Sequence, residues 1–153
     1  MALPLPLADV VEIAQVLARY GHIVDNGDVD ALDQVFTADA VMQPAHPGMA
    51  PIVGLDALRA MIGSIPQPNH NTLPPTLSVD AEGTVRAVSR YLQLRPDGTV
   101  VNGEYLDVLV PTGAGWRVGH RRVLRRHPPM DEGGPSRETY GPFWASAPGS
   151  QPS

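Results

Sequence analysis

Three stretches in the second half of the chain constrain its fold more than anything else: TVRAVSRYLQLR (84–95), VVNGEYLDVLVP (100–111) and WRVGHRRVLR (116–125). Each alternates and is rich in β-branched and aromatic residues, and PDG and TGAG between them are turn signals. Together they predict a long antiparallel meander. The chain before them reads as largely helical. Helices first and a curved meander after is the α+β pattern in which a sheet wraps around helices, and a curled sheet of this size can enclose a pocket.

Asp9 and Glu12 read as an N-cap and its capping-box partner, and Val10, Ile13, Leu17, Tyr20 and Val24 then recur at three- and four-residue steps. On this first helix Glu12, Gln15, Arg19 and His22 share the polar arc, while Ala14, Ala18, Gly21 and Asp25 form a narrow strip beside the apolar stripe. NGD at 26–28 is expected to break it, with Asp28 capping a shorter helix through Leu32, Val35 and Phe36. LDALRAMIGSI (55–65) predicts a third helix with Leu58, Met61 and Ile62 on one side. AVMQPA and PIVG read as short strands, with Pro44 and Pro47 placing the first at an edge or ending it in a turn. LSV (77–79) is a further candidate strand, and PQPNHNTLPP (66–75) a proline-stiffened loop. Residues 1–127 are expected to form one domain, followed by a Pro/Gly/Ser-rich tail over 128–153, extended or disordered.

Composition narrows the function. A chain of 153 residues, 42% hydrophobic, suffices for one core. A formal net charge of -5 is the wrong sign for a nucleic-acid binder. Without cysteine there is no thiol chemistry, and no window approaches the roughly 20 apolar residues of a membrane span. MALPLPLADV lacks the basic start of a secretory signal, so a soluble cytoplasmic protein is expected. His22, His46, His70, His120 and His127 are scattered without HxH, HxxxH or HExxH spacing, so no metal is expected. No GxGxxG, Walker loop or GxSxG occurs, and no cofactor is expected.

The candidate chemistry is therefore acid–base. Tyr20 lies on the buried stripe, so its hydroxyl either finds a core partner or faces a polar cavity. Asp25 lies off the polar face, and either caps its own turn at Gly27 or Asp28 or enters a site. His70 sits in a stiff loop, as a general base or as a surface residue. On the last strand, alternation puts Trp116, Val118, His120 and Arg122 on one face and Arg117, Gly119 and Arg121 on the other. Five of the 11 arginines fall in residues 117–126, as a solvated strand edge or an anchor for a carboxylate, phosphate or enolate. Ser89, Tyr91 and Gln93 share one face of their strand, as do Tyr105 and Asp107 of theirs.

RYGHIVDNGDVDALDQVFTADAV, the glycine-initiated helix GLDALRAMI, the loop NHNT and GEYLDVLVPTGAGWRVGHRRV together resemble the SnoaL-like branch of the NTF2-like superfamily, over roughly residues 8 to 126. The resemblance implies an NTF2-like cone, with N-terminal helices packed in the concave face of a curved, mainly antiparallel sheet. Within the superfamily the chain is most similar to the scytalone and bile-acid dehydratases. That likeness implies a catalytic set of Tyr20, Asp25 and His70, and Tyr91, Gln93, Tyr105, His120 and Arg122 on the strand faces are the candidate substrate contacts. Gln93 stands where the bile-acid dehydratase carries a further carboxylate. The implied activity is a cofactor-independent lyase or isomerase on a hydrophobic, cyclic small molecule, in a homodimer, with trimers also known. The alternatives are a non-catalytic binding or assembly module and a limonene-type epoxide hydrolase using Asp25 and Arg122.

Overall fold

The computed structural model describes residues 4–130 and 134–135. Most of the expected tail, beyond Met130, thus lies outside the described residues. Helix α1 (Leu7–Asn26) and helix α2 (Leu55–Ser64) flank a 3-10 helix at Val29–Gln34. Seven strands complete the domain: β1 (Phe36–Gln43), β2 (Ile52–Val53), β3 (Asn69–Thr72), β4 (Thr76–Val79), β5 (Val85–Leu94), β6 (Val100–Thr112) and β7 (Gly115–His127). They form one sheet in the order β2-β1-β7-β6-β5-β3, with β4 also paired to β5. All pairings are antiparallel except β1 with β7.

The meander falls where alternation predicts it, and α1 packs against β3 and β7 on the inner face. The core joins Ile13, Val16, Leu17, Tyr20 and Val24 of α1 to Phe36, Val85, Ala87, Tyr105, Leu109 and Val118 of the sheet. Each such large apolar side chain contributes about 1.5–3 kcal/mol on burial. No helix among the described residues is long and apolar enough to cross a membrane.

The structure departs from three local expectations. Helix α1 begins at Leu7 with Pro6 as its cap and the Val10 N–H on the Pro6 carbonyl, so Asp9 is inside the first turn. The capping box does not form, because Asp9 accepts the Trp116 indole N–H and Glu12 accepts the Trp116 backbone N–H, at 3.1 and 2.9 Å. The segment after Asp28 is a 3-10 turn without a side-chain cap, and Phe36 opens β1 rather than closing a helix. Of the two expectations for the first short strand the second holds: β1 is paired on both sides and ends at Gln43, ahead of the turn closed by the Met49 N–H on the His46 carbonyl. NHNT is a strand, not a loop: Asn69–Thr72 pairs with Leu94–Tyr91, and its prolines bracket it from outside.

Candidate active site

The C-terminal end of α1 meets β3. Gly27, at φ 69°, turns the chain out of the helix, its N–H bonding Val24 O and the next N–H, of Asp28, bonding Ile23 O. This backbone-only termination satisfies the last carbonyls and leaves the Asp25 carboxylate unneeded for capping. Gly21, one turn earlier, admits β3: a Cβ there would lie 3.3 Å from the His70 Cβ. Asp25 then reaches His70 twice. Its Oδ2 accepts the His70 backbone N–H and its Oδ1 meets Nδ1, both at 2.6 Å. The His70 side chain is 4% exposed and that of Asp25 23%.

The third contact sets the tautomer. Gln93, directly across from His70 on β5, places its Nε2 at 3.2 Å from the imidazole Nε2. An amide nitrogen can only donate, and a carboxylate can only accept. Both contacts therefore ask for the same neutral imidazole, with its proton on Nδ1 facing Asp25 and its lone pair on Nε2 facing Gln93.

Deeper in the cone, Arg121 and Asp107 form a two-point ion pair at 2.7 and 2.9 Å, both side chains fully buried. The guanidinium lies 4.3 Å from the Tyr20 ring and 4.2 Å from the Tyr105 ring. Tyr20 contacts Phe36, His70 and Tyr105 edge-on, and Tyr91 stacks on Tyr105 at 4.6 Å. Burial holds the Tyr20 phenol above its ordinary pKa against the opposing pull of Arg121. Burial also pushes Tyr105 well up, and takes Tyr91 to about 12. For Arg121, burial favours the neutral form, but Asp107 outweighs it and holds the guanidinium charged.

The structure brings Tyr20, Asp25, His70, Tyr91, Gln93 and Tyr105 to the inner face, and leaves His120 and Arg122 off it. The reason is a bulge: Val108 pairs with His120 but Leu109 with Val118, so Gly119 is an extra residue on β7. Beyond it the alternation shifts by one. Arg121 joins Val118 inside, and His120 and Arg122 point outward. The expected grouping of His120 and Arg122 with Val118 is therefore wrong, and the Asp25–Arg122 pairing required for the epoxide-hydrolase reading does not form. Arg121 and Asp107 are the inner polar residues that alternation alone misassigns or leaves out. An isolated glycine inside a strand pattern, Gly119, is the signal that could have found them.

A cavity of about 420 Å³ lies beside the dyad, between the α2–β3 connection and the β5–β6 turn. Ile65, Pro66, Pro68, Gln93, Arg95 and the Pro96–Asp97 turn line it. Gln93 is the residue it shares with the His70 contacts; Tyr20, Asp25 and His70 are not in its lining. Among the described residues no cluster of three His, Cys, Asp or Glu side chains is arranged to hold a metal ion.

A curved sheet closed around an N-terminal helix, with polar groups at the helix–sheet junction, defines an α+β cone of the NTF2-like class. The chain belongs to the SnoaL-like domain family, whose model matches residues 6–122. No curated protein matches it. Among solved structures it is similar to an NTF2-like protein with a cystatin-like fold from Novosphingobium aromaticivorans, at 26% identity and TM-score 0.69, covering 80% of this chain and 84% of that one. A protein of the same organism provisionally assigned as an aromatic ring hydroxylase is 26% identical at TM-score 0.66, covering 81% and 93%. Another, provisionally assigned as a scytalone dehydratase, is 19% identical at TM-score 0.63, covering 78% and 85%, and supports the fold alone. The two assignments name different reactions on one scaffold, so the scaffold alone does not fix the chemistry.

Proposed function

We propose that the protein is a cofactor-independent lyase or isomerase acting on a hydrophobic, cyclic small molecule that carries a carbonyl group. The observation that supports this reading is the two-point grip of Asp25 on His70, which fixes the imidazole with its Nε2 lone pair turned toward Gln93, a residue that lines the adjoining cavity. In the proposed step Nε2 removes a proton alpha to the carbonyl, and Asp25 stabilises the imidazolium that forms. The Tyr20 phenol, kept protonated by burial, donates to the developing oxyanion or to the leaving hydroxyl. In a dehydration the C–O bond then breaks, the ring gains a double bond and water departs. In an isomerisation the imidazolium returns the proton to a different carbon. We further propose a homodimer formed through the outer sheet face, where Leu92, Leu94, Val100 and Val110 remain exposed.

One observation favours a second reading, a binding or assembly module without chemistry. The space around Tyr20 is occupied by the Arg121–Asp107 pair and by the rings of Phe36 and Tyr105. The two readings separate in one experiment. Native mass spectrometry of the purified protein identifies any bound ligand, and a panel of cyclic β-hydroxy ketones is assayed for water loss with wild type and His70→Ala. Turnover that depends on His70 supports the enzyme; turnover retained in His70→Ala, or tight binding with no conversion, overturns it.

A further inference from the structure

We infer that Gln93 is a gate: its amide caps the His70 Nε2 in the free protein and is transferred to the carbonyl oxygen of a ligand entering the adjoining cavity. The imidazole is nearly sealed, Asp25 holds its Nδ1 side, and Nε2, the nitrogen free to act, is covered by the Gln93 N–H at 3.2 Å. No ligand atom can approach Nε2 along that direction until the amide moves.

Gln93 is also the member of this contact set that lines the cavity of about 420 Å³, a volume within the range of small-molecule sites. Its other lining residues are Ile65, Pro66, Pro68 and Pro96, with Ile65 left 39% exposed, and the charged Arg95 and Asp97. This mostly apolar lining, with the Gln93 amide and the Arg95 guanidinium as its donors, suits a largely apolar ring compound that carries a carbonyl oxygen. An N–H withdrawn from Nε2 must find another acceptor to avoid being stranded, and the ligand carbonyl supplies one. The same exchange places the carbon next to that carbonyl over the uncovered nitrogen. A glutamine has the required neutrality: a carboxylate at this position could not donate to Nε2 and would favour a protonated imidazole instead. Gln93 is on this account a positioning residue, and its consequence for turnover rests on the acid–base reading above, whereas the gate itself does not.

Diethyl pyrocarbonate, which modifies unprotonated and accessible imidazole nitrogens, tests the cap, with each histidine followed separately by peptide mass spectrometry. His22 and His46 are exposed and serve as internal controls. In the wild type His70 should react far more slowly than either. Loss of a single hydrogen-bonded cap in Gln93→Ala should raise its rate by about tenfold, with the controls unchanged. Gln93→Asn, polar but too short to span the gap, should do the same and carries the test if the alanine variant misfolds by circular dichroism. A wild-type His70 rate in both variants overturns the gate. For the ligand half, 1-indanone titrated into labelled wild-type protein should shift the Gln93 side-chain NH2 resonances and the Ile65 methyls. Absence of binding, or binding that leaves the Gln93 amide unmoved, overturns that half. None of these readouts uses turnover. An inert protein with an intact gate sinks the catalytic reading alone, and His70-dependent turnover with an unchanged modification rate sinks the gate alone.

Discussion

Asp25 commits both carboxylate oxygens to His70, one to the imidazole and one to the backbone N–H of the same residue. The carboxylate thereby fixes the strand position and the ring orientation together. Asp25→Asn keeps the shape but replaces one acceptor oxygen with a donor, which faces an N–H whichever way the amide is turned. Turnover is expected to fall by at least about a hundredfold, the scale of a general base. Stability should fall by about 1–3 kcal/mol, as for a buried hydrogen-bonding group left unsatisfied. Steady-state kinetics and urea unfolding on one preparation check both.

Gly21 is a separate handle on the same contact. Replacing a helix-interior glycine by alanine gains about 1 kcal/mol of helix propensity. The new methyl would press on the His70 Cβ from 3.3 Å, tighter than ordinary van der Waals contact, so β3 must yield by a few tenths of an ångström. Gly21→Ala should therefore change the unfolding free energy by less than about 1 kcal/mol, as two opposed effects of similar size. It should nevertheless shift the His70 ring resonances and lower activity. A stable variant with unperturbed His70 spectra would show that β3 has room that the structure does not give it.

The Arg121–Asp107 pair should reveal itself in stability. Arg121→Met leaves the Asp107 carboxylate buried without its cation and is expected to cost about 3–5 kcal/mol. The double variant Arg121→Met, Asp107→Leu removes both charges and should recover most of that loss, since an apolar pair of similar volume avoids the desolvation penalty. Urea denaturation of the single and double variants tests this. A double variant as unstable as the single one would mean that the guanidinium matters for packing on Tyr20 and Tyr105 more than for charge.

Alkaline titration tests the tyrosine environment. An unfolded tyrosine ionises near 10.0, whereas burial raises Tyr20, Tyr105 and Tyr91, the last to about 12. A raised value means that the native state favours the neutral phenol. The contribution of Tyr91 to stability is thus fully present below pH 10 and is lost as the pH rises toward about 12. Tyrosinate absorbance from these three should be missing at pH 10, with Tyr91 ionising only toward about pH 12 or on unfolding. Their ionisation at pH 10 with native circular dichroism intact would contradict the buried placement.

Elements with strong periodicity were legible in the chain alone. The spacing of Ile13, Leu17, Tyr20 and Val24 defines α1, and alternation with PDG and TGAG defines the meander, because burying one face forces those periods on the chain. The exposed position of His22 follows from the same wheel. Periodicity also put Tyr20 inside and Asp25 off the polar arc. It could not choose between the two uses of Asp25, since capping a local turn and bonding a residue 45 positions away look identical in sequence. Tertiary structure decided that: the α1 terminus closes with backbone bonds at Gly27, and Gly21 lets β3 come within reach. Tertiary structure also decided which arginine enters the cone. Counting by twos from Trp116 selects Arg122, but one inserted residue at Gly119 reverses the faces and buries Arg121 instead. A strand's side chains have a period of two, so every assignment beyond a bulge depends on where the extra residue sits, and that is set by pairing with β6 rather than by β7 alone.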